Sequence, residues 1–400
     1  MSPADLNSRG STALVSSACP RIIIAGVHDS SDAYPNVKYR VLGFHNAKGI
    51  LVREYRYTFR WRPFACRRRS WWSRLASIVG MVFGAFFSHL RAVIACVLYA
   101  RSESVYVPYP APLVLFCLSF LPQPLRPGKI VADAFISLYD TMVFDRAMIS
   151  GGGLPARLLR WMERRAYRFC DLVVADTEMN AAYLTQIFQL PAGRVIALPL
   201  AICEQIYSYT PYIPHDGQRT VLFIGTFVPL QGTDVIAEAV SLLRNEPGIH
   251  FRIIGYGQTA ESARESLERH ACRNYVWIEE WQDAAALAKE IRRADICLGI
   301  FGATDKTQRV WPLKNYAYMA CGRTIITGET NCARSLIRGT DRAPFATVPT
   351  GDPQALAAAI LSLACDDAAR TEYANLARGY YERHLANAIS IDAILREMLH

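Results

Sequence analysis

Twice along this chain of 400 residues, short apolar runs rich in β-branched residues alternate with segments of helical periodicity. Runs of this kind suit strands buried on both faces, and their alternation with helices implies parallel α/β sheets. The first round opens with "RIIIAGV" (21–27). It continues through "ILVREYRYTF", "SVYVPYP", "KIVADAF", "LVVADT" and "RVIALPLAI". Thr177, at the end of "LVVADT", is placed to cap the helix that follows. A polar, proline-bearing stretch, "YSYTPYIPHDGQ" (207–218), then reads as an interdomain linker. The second round runs through "RTVLFIGTF", "HFRIIGYGQ", "YVWIEEW", "DICLGIFG" and "RTIITGE".

The expected architecture is therefore two Rossmann-like α/β domains. A loose tail covers 1–20, the first domain 21–206, the linker 207–218, the second domain 219–375 and a closing helical segment 376–400. Length and composition agree, since 400 residues are enough for two domains of ordinary size. Hydrophobic residues at 52% and charged residues at 20% exclude a disordered chain. The 11 cysteines show no C-x-x-C pair, no zinc spacing and no disulfide framework, which predicts reduced thiols in a cytoplasmic protein. Cys321 has no histidine near it in sequence and is expected to pack in a core. The first 20 residues lack the apolar stretch of a signal peptide.

The formal net charge of +9 fits nucleic acid, an anionic membrane or a phosphorylated substrate. Its densest patch is "RWRPFACRRRSWWSR" (60–74), six arginines among aromatic residues, followed by the apolar "LASIVGMVFGAFFSHLRAVIACVLYA". The apolar run 75–87 is too short to span a bilayer, which needs about 20 residues. Two readings stay open for this region: a pair of helices packed on the sheet, or an interfacial helix with Arg and Trp at lipid headgroups. No nucleic-acid-binding motif accompanies the arginines, so nucleic acid is not an expected partner.

Ligands of open parallel sheets bind beyond the carboxyl ends of the strands. In the second round those ends carry "GTFVPLQG", "GYGQT" and "RVWPLKNYAYMACGRTIITGE". Gly225, Thr226, Gln231 and Gly232 form one loop; Gly255 and Gly257 form another before a helix start. Lys306, Arg309 and Lys314 bring positive charge to a helix start that already favours anions. Their recurrence on one sheet edge points to a phosphate or diphosphate pocket.

These stretches, with "FRIIGYG", "RADICLGIF", "VADAFISLYDTMVFDR" and "LVVADTEMNAAYLTQIF", resemble the retaining GT-B glycosyltransferases, in particular glycosyltransferase family 4. The likeness covers most of the chain from about residue 21 and is weakest over 53–121. It implies two Rossmann-like domains facing a cleft, with the last helix (376–400) crossing back to the first domain. A nucleotide-diphosphate sugar would bind the second domain and a lipid-linked or polysaccharide acceptor the first. The sugar would move with retention, without metal or organic cofactor, in glycan or polysaccharide biosynthesis. Lys314, Arg309, Lys306 and the Gly225–Thr226 backbone would stabilise the departing diphosphate. Trp281 would meet the base, and Tyr316 would join the donor site. Asp133 and His28 are candidates to orient the acceptor hydroxyl. An anionic membrane surface would be met through residues 60–74, placing a cytoplasmic protein peripherally at the inner face of the membrane.

Two positions depart from the family pattern. Aligned on "PLKNYAYMACG", a glutamate pair of the family becomes Arg309 and Ala317, and a lysine of the first glycine loop becomes Gln231. An alternative reading follows: a catalytically silent GT-B protein that binds a nucleotide or a glycan as an accessory subunit.

Overall fold

The computed structural model describes residues 19–29, 34–57, 71–99, 103–338, 340–386 and 391–399, without the side chains of 57, 71–82 and 99. The first round forms β1 (Arg21–Val27), α1 (Pro35–Asn46), β2 (Leu51–Tyr57), α2 (Trp71–Tyr99), β3 (Ser104–Val107) and α3 (Pro112–Leu118). It goes on with β4 (Lys129–Asp133), α4 (Leu154–Phe169), β5 (Leu172–Ala175), α5 (Glu178–Phe188) and β6 (Val195–Ala197). These six strands pair in parallel in the order β2-β1-β3-β4-β5-β6. The second round forms β7 (Arg219–Ile224), α6 (Thr233–Leu242), β8 (Ile249–Ile254), α7 (Ala260–Arg269), β9 (Tyr275–Ile278), α8 (Ala284–Arg293) and β10 (Ile296–Leu298). It closes with α9 (Leu313–Ala320), β11 (Thr324–Gly328), α10 (Asn331–Ile337), β12 (Ala346–Val348), α11 (Pro353–Cys365), α12 (Asp367–Tyr380) and α13 (Asp392–Leu399). Its sheet is also parallel, in the order β12-β11-β10-β7-β8-β9.

Both sheets are covered on both faces, which explains why their strands read as unbroken apolar runs. On one face of the first sheet, Ile23, Val105 and Val173 pack with side chains of α2, α3, α4 and α5. On the other, Ile22, Ile24 and Val131 meet Val37 and Phe44 of α1 and Ile394 and Met398 of α13. The last helix therefore returns to the first domain, as expected. Ser104 and Lys129 donate to the α13 carbonyls of Met398 and Glu397 and hold it there. Each fully buried Ile, Leu or Val contributes about 1.5–3 kcal/mol, so these layers supply most of the driving force for folding.

The segment before β3 departs from a pair of helices. It is one continuous helix, α2, of 29 residues. Gly80 and Gly84 do not break it; an isolated glycine costs a helix about 1 kcal/mol, and small inward residues (Ala92, Ala95, Cys96) let its later turns lie against β1. Among the described residues no helix is long and apolar enough to cross a membrane. Residues 60–69, most of the arginine patch, lie outside the described residues.

Candidate active site

Strand order reverses between β1 and β3 in the first sheet and between β7 and β10 in the second. Crevices open at such points, beyond the carboxyl ends of the strands. The loop after β7 runs Gly225, Thr226, Phe227 and on to Gln231, whose Oε1 accepts from the Phe227 N–H at 2.9 Å. Gly232, at φ 63°, then turns the chain into α6. The loop after β8 lies directly against this one. Gly255 has φ 120°, and a Cβ there would run into the Gly225 carbonyl; one on Gly257 would meet the Thr226 carbonyl. The glycines thus let two backbones touch.

Lys306 and Arg309 lie at the junction of the two domains. Lys306 donates to Thr141 Oγ1 at 2.8 Å and sits 3.5 Å from Asp140 and 3.6 Å from Asp145. Arg309 donates through Nη2 to Asp140 Oδ1 at 2.8 Å, through Nη1 to Asn180 Oδ1 at 3.3 Å and through Nε to Asp305 at 3.2 Å. Its guanidinium lies 3.5 Å from the centre of the Tyr183 ring. Its carbonyl accepts from Thr177 Oγ1 at 2.6 Å. Thr177 also caps α5, accepting from the Asn180 N–H at 3.0 Å.

Asp140 and Asp145 bound a wide helical turn, Asp140–Asp145. The turn is anchored by the buried Glu163 of α4, which accepts from Ser137 Oγ and from the N–H groups of Leu138 and Tyr139. Burial raises the carboxyl pKa of Glu163 and of Asp145, with Lys306 opposing the rise at Asp145. Asp176, just past β5, is buried and accepts from Asn180 Nδ2 at 2.7 Å. Desolvation pushes it up to about 6. Asp140, Asp145, Asp176, Asn180 and Tyr183 escaped the sequence reading. The motifs "VADAFISLYDTMVFDR" and "LVVADTEMNAAYLTQIF" contain all five, but nothing in their spacing says which residues cross the cleft.

Lys314 stands apart from the other two cations. Its Nζ is buried without a hydrogen-bond partner and lies 3.9 Å from the centre of the Phe223 ring. Burial drives its pKa well below the ordinary lysine range. Ala317, one turn on, is packed in an apolar cluster with Tyr316, Met319 and Cys321. Burial pushes the Cys321 thiol up to about 11, in keeping with a packing role. Trp281 is 74% exposed on the loop after β9. Trp277 of β9, by contrast, stacks on Phe227 at 5.0 Å and donates to the Gly255 carbonyl at 2.8 Å.

In the first domain, His28 follows β1 and Asp133 ends β4, with β3 between their strands. Asp133 accepts from Tyr106 Oη at 2.9 Å and lies 3.6 Å from Arg40 Nε. His28 Nε2 is 3.2 Å from Glu54 Oε1, while its Nδ1 is buried without a partner. Hydrogen bonds from His28 and His45 hold Glu54 down at about 2. Among the described residues, no group of three or more His, Cys, Asp or Glu could hold a metal ion.

Residues 218–366 match the family described as Glycosyl transferases group 1. No curated protein matches the chain. Among solved structures it is similar to Anabaena HepE in complex with UDP, at 11% identity and a TM-score of 0.64, over 94% of this chain and 99% of that one. It is similar to an E. coli structure described as trehalose-6-phosphate bound with UDP-2-fluoro glucose, at 13% identity and a TM-score of 0.62, over 94% and 99%. It is also similar to WaaG, a glycosyltransferase involved in lipopolysaccharide biosynthesis, at 13% identity and a TM-score of 0.61, over 93% and 98%. The fold is thus the GT-B fold of these structures, and the group 1 family model matches its second domain.

Proposed function

We propose that the protein is a retaining glycosyltransferase that moves a sugar from a nucleotide-diphosphate sugar to a lipid-linked or polysaccharide acceptor in glycan biosynthesis. The observation that carries this reading is the group 1 match over 218–366, which encloses every residue assigned to the donor. The donor diphosphate is held by Lys306, Arg309 and the Gly225–Thr226 backbone. These groups stabilise the growing charge of the leaving group more than the bound donor. Asp140 and Asp145 neutralise both cations in this structure. The diphosphate therefore displaces a carboxylate, trading one anion for another of higher charge. Lys314, buried against Phe223 at the end of β7, is the third cation assigned to the donor. Gln231, Gly232, Gly255 and Gly257 shape the nucleotide site, with Tyr316 behind it and Trp281 at its rim. Asp133 and His28 line the acceptor side. The reading uses no metal and no organic cofactor, and it sets the protein at the cytoplasmic face of a membrane.

One observation favours a second reading, a silent GT-B protein that binds a nucleotide or glycan as an accessory subunit. Ala317 brings a methyl group where a carboxylate is expected, inside an apolar cluster. A thermal-shift panel of UDP, GDP, ADP and CDP, paired with release of the same nucleotide from its sugar donors, separates the two. Stabilisation together with release supports the enzyme. Stabilisation without release supports the accessory role. No stabilisation by any nucleotide and no release overturn the enzyme reading and leave the accessory role to a glycan alone.

A further inference from the structure

The outer face of the first domain is built the wrong way round for a helix layer in water. On α2, small residues (Ala92, Ala95, Cys96) face the sheet and large ones face out. Phe83, Phe87, Leu90, Ile94 and Leu98 recur at helical spacing along the exposed side, with Phe86 beside them at 60% exposure. The neighbouring α3 turns Leu113 outward, and Phe120 follows it. On α4 the stripe is Leu154, Leu158 and Trp161, the first 76% exposed. The three helices cover the same face of one sheet, so their outward stripes form one surface. Phe116 joins it through edge-on ring contacts with Phe120 at 5.0 Å and Trp161 at 5.1 Å. A continuous apolar patch on this scale marks an interaction site.

Its charge says what covers it. Residues 55–102 hold nine arginines and no acidic residue, and the 35 basic residues left over in the rest of the chain equal its 35 acidic ones. The whole net charge of +9 therefore comes from the segment that leads into and forms α2. Between 104 and 170 the only acids are Asp133, Asp140, Asp145 and Glu163, all buried. Arg157, Arg164 and Arg168 flank the apolar stripe of α4, and Arg165 lies 4.0 Å from the centre of the Phe120 ring. Apolar side chains flanked by arginine, with the acids of 104–170 buried, suit the boundary between acyl chains and anionic headgroups.

We infer that the outer face of α2, α3 and α4 docks on an anionic lipid bilayer. The aromatic and aliphatic stripe enters the acyl boundary, and the arginines meet phosphate headgroups. The helices α3 and α4 each begin beyond the carboxyl edge of the sheet, so their first turns bring the bilayer toward the edge where the crevice opens. Docking does not depend on the sugar-transfer reading.

Flotation of the full chain tests it, using vesicles of phosphatidylcholine alone and of phosphatidylcholine with phosphatidylglycerol. The wild type should float with the anionic vesicles, less at high salt, and stay behind with the neutral ones. Phe86→Asp, Phe87→Asp and Leu90→Asp together should reduce binding by about tenfold or more and leave the thermal midpoint in solution unchanged, because all three side chains are exposed. Leu158→Asp with Trp161→Asp is a second test that leaves α2 intact. Two results overturn the proposal: wild-type protein that ignores anionic vesicles, or both variant sets binding as the wild type does. A concentration-dependent dimer that the triple variant dissolves, without vesicle binding, overturns it in favour of a second copy.

Discussion

Arg309 of the second domain donates to Asp140 of the first at 2.8 Å, and both side chains are almost closed to solvent. The pair joins the two domains at the place where the donor diphosphate is proposed to bind. Asp140→Asn keeps the shape and removes the charge. It should cost about 2 kcal/mol of stability, since a buried charged hydrogen bond becomes a neutral one. Removing the competing anion should also tighten nucleoside diphosphate binding by about tenfold, or about 1.4 kcal/mol. Thermal shift with and without nucleotide measures both. Unchanged affinity would mean that the diphosphate does not meet Arg309.

Lys314 separates a catalytic role from a structural one. A buried amine without a hydrogen-bond partner is a cost to the fold. Lys314→Met, similar in volume and uncharged, should leave the unfolding free energy unchanged or raise it by about 1 kcal/mol. If Lys314 serves the donor, the same variant should lose sugar transfer. Full transfer activity would remove Lys314 from the site.

Two carboxylates set opposite pH dependences. Asp176 has its pKa raised by desolvation from 3.8 to about 6. The native state then binds more protons than the unfolded one between those values, so this group's contribution to stability falls as pH rises through that window. Glu54 is lowered from 4.5 to about 2 by His28 and His45. Its contribution is present above 4.5 and is lost as pH falls toward 2. Urea unfolding across these ranges should show Asp176→Asn flattening the upper window and Glu54→Gln the lower. Variants that leave the profile unchanged would remove these carboxyls as its source.

Gly255 tests the contact between the two glycine loops. Its φ of 120° and the Gly225 carbonyl facing it leave no room for a methyl group. Gly255→Ala should destabilise the second domain by more than about 2 kcal/mol and weaken nucleotide binding with it. A wild-type thermal midpoint would show that the loops can part freely.

Much of the fold is present in the sequence. The runs "RIIIAGV" and "VLFI" contain mostly β-branched and large apolar residues, and such runs become strands of a parallel sheet wherever helices can cover both faces. Thr177 caps its helix because the capping bond is local. Lys306 and Arg309 stand on the carboxyl edge for the same kind of reason: position along a strand–loop–helix unit fixes which edge a residue reaches. The outward face of α2 is not legible in this way, because small residues facing inward and large ones outward give the same apolar count as a buried helix.

The sequence by itself determined two parallel α/β domains, the edge that carries the cations, and the apolar and basic character of the segment before β3. Only the tertiary structure decided that Arg309 and Lys306 meet Asp140 and Asp145, that Lys314 lies against Phe223, and that α2 shows its large side chains to the outside. The reason is physical. Strand and helix formation and end-capping rest on bonds between near neighbours in the chain, which periodicity and residue type record. An ion pair between residues 169 apart, or the choice of which helix face meets the sheet, depends on how two finished layers pack, and no spacing in the chain encodes it.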